Sequence, residues 1–85
     1  MSRAWKVVVN DKAVEFLLGC RAPARRTVLG FMEKLRNHPQ FAGDFVESDD
    51  TGRALQVKVH GQFLITFWVD HAVKEIRIVE IEPVD

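Results

Sequence analysis

Leu55-Gln56-Val57-Lys58-Val59-His60-Gly61-Gln62-Phe63-Leu64-Ile65-Thr66-Phe67-Trp68-Val69 is the stretch that decides the fold. Leu55, Val57 and Val59 alternate with Gln56, Lys58 and His60, the period of a half-buried strand. Gly61-Gln62 allows a tight hairpin turn. Phe63 to Val69 is apolar on both faces apart from Thr66, which predicts a central strand. Asp70-His71-Ala72 turns the chain again, residues 73–81 read as a last strand, and Pro83 closes it. The three strands make an antiparallel meander.

Upstream the period changes. Residues 4–9 are rich in β-branched and aromatic side chains and predict an N-terminal strand. Asn10 then suits a helix N-cap, with Asp11 in the first turn and Gly19 as a stop. Within that short helix Val14, Leu17 and Leu18 recur at helical spacing. Pro23 suits the first position of a second helix, and Ala24, Val28, Phe31, Met32 and Leu35 form one apolar face of it. Asn37-His38-Pro39 ends it. Residues 38–52 read as a long acidic connection pinned by Phe41, Phe45 and Val46, with Asp49-Asp50-Thr51-Gly52 marking its exit. The expected architecture is α+β: a two-layer domain with an N-terminal strand, a helical hairpin and a three-stranded antiparallel meander.

Eighty-five residues suffice for one domain over 1–85 and are too few for two. Twelve basic residues balance twelve acidic ones, so no global charge draws the chain to nucleic acid or membrane. The halves differ: residues 1–40 carry eight Lys/Arg against three Asp/Glu, and residues 41–85 carry four against nine. A lone cysteine, Cys20, excludes an internal disulfide framework, and no CxxC pair is present. No apolar run approaches the roughly 18 residues of a membrane-spanning helix. No signal peptide is recognisable at the start, so a reducing cytoplasmic setting is the expectation.

With these elements in place, the chain resembles the RelE/ParE superfamily of small bacterial toxins from type II toxin–antitoxin pairs. The resemblance covers the element order and sharpens at Gly61-Gln62-Phe63-Leu64-Ile65-Thr66-Phe67. There Gly61, Phe63 and Phe67 match the family pattern, and Leu64 stands where an arginine is usual. Lys58 stands where the family often has a basic residue; Asp70 and the apolar Ile76, Ile78, Val79 and Ile81 also fit. The resemblance implies a growth-inhibiting toxin restrained by a small antitoxin protein. Such a toxin works either as a ribosome-dependent mRNA interferase or by binding DNA gyrase, with no cofactor. The alternative is a catalytically silent relative serving as a protein-interaction module. Ribonuclease chemistry needs a group to take the 2′-OH proton, cations for the phosphate and a donor for the leaving oxygen. This chain has no tyrosine, lacks the arginine, and ends Glu80-Ile81-Glu82-Pro83-Val84-Asp85, whose acids repel a phosphate backbone.

Lys58 and His60 share a strand face and are the candidate catalytic pair, a phosphate-binding cation beside a near-neutral acid or base. Alternation alone also predicts polar residues there. Arg21, Arg25, Arg26 and Arg36 cluster on the helical hairpin, and Arg53 and Arg77 can add charge; these arginines are the candidate RNA or partner patch, against the plainer reading of solvated faces. Phe63, Ile65, Phe67 and Val69 are expected to meet the helices. Leu64 and Trp68 are then left on an open face, flanked by Lys58 and His60, as an antitoxin-binding groove. The competing arrangement folds the 38–52 loop over that face with Phe41 and Phe45. Cys20 has no base in sequence reach, Ser2 and Ser48 make no hydrolase, and His38, His60 and His71 share no metal-ligand spacing, so no metal is expected.

Overall fold

A computed structural model describes residues 5–40 and 42–84. Ser2, Ala4, Phe41 and Asp85, named above, lie outside the described residues. The order is β1 (Lys6–Val9), α1 (Asp11–Gly19), α2 (Ala22–Asn37), β2 (Phe45–Ser48), β3 (Ala54–His60), β4 (Phe63–Asp70) and β5 (Glu75–Pro83). The five strands form one sheet in the order β1-β5-β4-β3-β2. β1 runs parallel to β5, and every other pair is antiparallel. The two helices pack on one face, which is the expected two-layer α+β domain with one more strand. Among the described residues no helix is long and apolar enough to cross a membrane.

Asn10 caps α1 as expected, its side-chain oxygen accepting the Ala13 N–H at 3.1 Å. Gly19 closes the helix without a left-handed turn, because Cys20 follows in extended geometry and donates its N–H to Leu17 O. The inward face of α1 differs from the expected one. Ala13 is fully buried with Phe16 and Leu17 packed beside it, while Val14 and Leu18 are exposed. Rolling the helix this way lets Phe16 reach Phe63 edge-on at 5.7 Å. Pro23 is the second residue of α2 rather than its first. Its apolar face is the expected one, with Val28, Phe31, Met32 and Leu35 buried against Ile65, Phe67, Ile76, Ile78 and Ile81.

β2 is the element the sequence reading lacked. Residues 45–48 were expected to lie in a loop pinned by Phe45 and Val46. They instead form an edge strand against β3, and both side chains are exposed, at 46% and 58%. The approach to this edge is held from the side. Gly43 N–H donates to Gln56 Oε1 at 2.8 Å and Asp44 N–H to Val57 O at 2.8 Å. Asp44 in turn accepts from Val59 N–H and from Lys58 Nζ. The turn after β4 also runs longer than read, so the last strand begins at Glu75 and includes Pro83.

A register shift between Thr66 and Phe67 places Val79 as an extra residue in β5. It explains why the buried isoleucines of β5 are Ile76, Ile78 and Ile81. The bulge resets the alternation, so Phe67 stays opposite Ile78 and Ile65 opposite Ile81.

Candidate functional site

The helices cover the face bearing Phe63, Ile65, Phe67 and Val69, as the sequence predicted. The opposite face carries no helix, although Leu55, Val57 and Thr66 are buried on it by their neighbours. The hairpin register overturns one expected detail. His60 pairs with Phe63 and Lys58 with Ile65, and directly opposite residues project to the same side of a sheet. Lys58 and His60 therefore stand on the helix side, away from Leu64 and Trp68. Val59 pairs with Leu64 and Val57 with Thr66, so Leu55, Val57 and Val59 furnish β3's share of the open face.

Behind the sheet, the His60 ring stacks on Phe31 with centroids 4.9 Å apart and planes tilted by 32°. Burial, and then the charges of Lys34 and Lys58, push the imidazole pKa below its usual 6.5. The ammonium of Lys58 lies 3.1 Å from Asp44 Oδ1. That carboxyl is held below its ordinary range by the Val59 N–H first and Lys58 second. The sign for stability follows from His60. As pH falls through 6.5 the unfolded chain takes up a proton that the folded chain resists, so the imidazole's contribution is present above that pH and lost below it. Denaturant unfolding of the wild type is expected to lose stability on acidification through this window, and His60→Phe to show a flatter profile. Equal slopes in the two proteins would refute the assignment.

On the open face Trp68 is the centre. The Arg53 guanidinium lies 4.0 Å from the centroid of the indole and that of Arg77 5.8 Å, in cation–π range. Strand register explains Arg77: it pairs with Trp68 on one side and with Val8 on the other. Arg53 precedes β3 and is set by Asp49. Asp49 Oδ1 accepts from Thr51 N–H, Thr51 Oγ1 and Arg53 N–H, and Oδ2 lies 3.7 Å from Arg53 Nη1. The Thr51 hydroxyl, then the Arg53 N–H, holds the Asp49 carboxyl below its usual range. Arg77 Nη2 donates to Glu75 Oε1 at 2.6 Å, while its buried Nε finds no hydrogen-bond partner among the described residues. Val8, Leu55 and Val79 complete a groove of about 310 Å³ around these groups.

The structure thus brings together Arg53, Trp68 and Arg77 from the sequence-predicted set. Leu64 lies further along the same face, between Val59 and Glu82. The helical arginines divide. Arg25 turns inward, its Nε donating to Leu17 O at 3.1 Å and Nη2 to Cys20 O at 2.7 Å, so it locks the hairpin between α1 and α2. Arg21 and Arg26 are exposed, and Arg36 pairs with Glu33 at 3.4 Å. Sequence reasoning read Asp49 only as part of a turn. The available signal was Asp49 two residues before Thr51 and four before Arg53, the spacing of an Asx-type clip that aims the arginine.

No family model and no curated protein matches the sequence. Solved structures do match the fold. A chain of the archaeal RelE–RelB complex from Pyrococcus horikoshii OT3 superposes with a TM-score of 0.76 at 18% identity, covering 95% of this chain and 96% of that one. A chain of the toxin–antitoxin complex RelBE2 from Mycobacterium tuberculosis gives 0.78 at 13% identity, covering 95% and 99%. The intact E. coli RelBE toxin–antitoxin complex gives 0.66 at 7% identity, covering 96% and 99%. The chain therefore has a RelE-like fold over nearly its whole length, in agreement with the resemblance read from Gly61 to Phe67.

Proposed function

We propose that this chain is the toxin of a type II toxin–antitoxin pair and that it engages RNA through the open sheet face. The observation that carries the reading is Trp68 with the guanidiniums of Arg53 and Arg77 over its ring, on the helix-free face of a RelE-like fold. Guanidinium forks match phosphate oxygens, and an indole offers a stacking surface to an unpaired base. The neighbours in fold are toxin–antitoxin complexes, which supports a small antitoxin partner here, docking over Leu64 and Trp68. Cytoplasmic action and growth inhibition follow from this reading. Lys58 and His60 stand on the helix side, so the acid–base role proposed for them requires RNA to pass around the sheet margin at β3.

A second reading has its own support. Arg53 and Arg77 already carry carboxylate partners, and Glu80 and Glu82 extend along the same sheet. These features suit a silent interaction module.

The test is inducible expression in a bacterial host without a partner, following protein and DNA synthesis separately. A prompt stop in translation is expected, with growth restored by the double variant Arg53→Ala/Arg77→Ala. Lys58→Ala/His60→Ala should slow cleavage by about 10²–10⁴-fold if that pair does the proton transfers. Full toxicity in this variant would remove them from the mechanism. A DNA-damage response would point to gyrase instead, and unaffected growth with folded protein present would leave the silent module.

A further inference from the structure

A second recess, of about 560 Å³, opens where the sheet ends, between Pro39, Gln40 and Ala42 on one side and the adjoining ends of β3 and β4 on the other. Arg53 and Trp68 line both this recess and the open-face groove, so the two are neighbours across a shared wall. We propose that the recess holds one unpaired nucleobase of a single-stranded RNA whose phosphate lies on Arg53 and Arg77. The proposal rests on the reading of the open face as an RNA-backbone surface and adds a base subsite to it.

Three features select a base over a purely apolar ligand. The recess is lined by flat or apolar groups, Trp68, Val69 and His71, together with the amides of Gln40 and Gln56. Its size lies within the range of small-ligand sites, about 300–1,000 Å³. Most telling is the Gln56 amide. Its Oε1 accepts the Gly43 N–H at 2.8 Å, which fixes the opposite end of the group as the NH₂ donor. A donor of fixed identity in a wall that also carries ring surfaces suits the ring-nitrogen and carbonyl acceptors of nucleobases. The His71 ring is itself braced, edge-on to Trp5 with centroids 5.7 Å apart.

The test titrates adenosine, guanosine, cytidine and uridine into the full ¹⁵N-labelled chain, and then their 5′-monophosphates. At least one nucleoside is expected to shift the Gln56 side-chain amide, Val69 and His71. Its monophosphate should bind about tenfold tighter, with added shifts at Arg53 and Arg77. Gln56→Glu keeps an oxygen for the Gly43 N–H and removes the donor, so it should weaken nucleoside binding by about five- to tenfold. If no nucleoside moves those resonances, the base subsite is refuted. Phosphate shifts at the arginines without nucleoside binding would refute the subsite and leave the open-face reading standing. Nucleoside binding without a phosphate gain would do the reverse.

Discussion

Phe31→Ala is expected to destabilise the domain by about 3–5 kcal/mol, the range for deleting a fully buried aromatic ring. Phe31 is 0% exposed and touches both layers of the fold, 6.0 Å centroid to centroid from Phe67 and 4.9 Å from His60. Its loss opens a cavity between α2 and β4 that the isoleucines of β5, confined by their strand, cannot close. Domains of this size hold about 5–15 kcal/mol in total, so the variant should melt far lower or fail to fold at physiological temperature. Trp68→Ser is the contrast. Trp68 has a similar bulk, yet it stands half-buried on the open face under two guanidiniums. Its replacement should cost about 1–2 kcal/mol, since only part of the ring leaves water on folding. Chemical denaturation of the two variants side by side decides the matter. A Trp68→Ser loss equal to that of Phe31→Ala would make the open face a second core.

Why these two aromatics were placed correctly from sequence, and Lys58 and His60 were not, comes down to parity. The alternation of Phe63, Ile65, Phe67 and Val69 identifies two faces, and the longer, wholly apolar set claims the helices. A two-residue turn at Gly61-Gln62 then sets His60 directly opposite Phe63, hence on the same side. The information was in the sequence, but polarity argued the other way, since polar residues are expected to face solvent. The helices reconcile the two. They cover the sheet from β1 to β4 and leave β3 at the margin, where Lys58 keeps its ammonium near Asp44 while His60 stacks on Phe31.

β2 was illegible for a different reason. Phe45-Val46-Glu47-Ser48 is four residues long, has no polar alternation to read, and buries none of its side chains. Its stability comes from the hydrogen bonds made by Gly43 and Asp44 and from the β3 ladder, all long-range contacts that local propensity does not report. The bulge at Val79 is equally silent in the sequence. Only the unequal spacing of Ile76, Ile78 and Ile81 hints at it. The Arg53–Trp68–Arg77 cluster was half visible: each residue was singled out, but their meeting depends on the β4–β5 register that pairs Trp68 with Arg77 and on the Asp49 clip.

Gly43→Ala is the sharper test of this edge. A Cβ at Gly43 would lie 2.7 Å from Val57 O, 2.8 Å from Val57 N and 3.0 Å from Val57 C, all main-chain atoms that no rotamer can move. The segment before β2 must then lift away from β3. With it go the bond from Gly43 N–H to Gln56, that from Asp44 N–H to Val57 O, and the two contacts that Asp44 makes with Lys58 and Val59. The bonds from the Gly43 and Asp44 N–H groups are worth about 0.5–1.5 kcal/mol net each, so a loss of about 1–3 kcal/mol is expected. Fast amide exchange should appear at Phe45–Ser48 while the β4–β5 ladder stays protected. Gly30→Ala supplies the control. Gly30 lies inside α2, with open space where the methyl would go, so alanine there should stabilise by about 0.5–1 kcal/mol. Should Gly43→Ala prove as stable as Gly30→Ala, the segment does not lie against β3. The same variant also releases the Gln56 amide from its fixed orientation. Nucleoside binding at the sheet end should therefore weaken in Gly43→Ala even where the protein remains folded, which ties the packing of one glycine to the proposed recognition of a base.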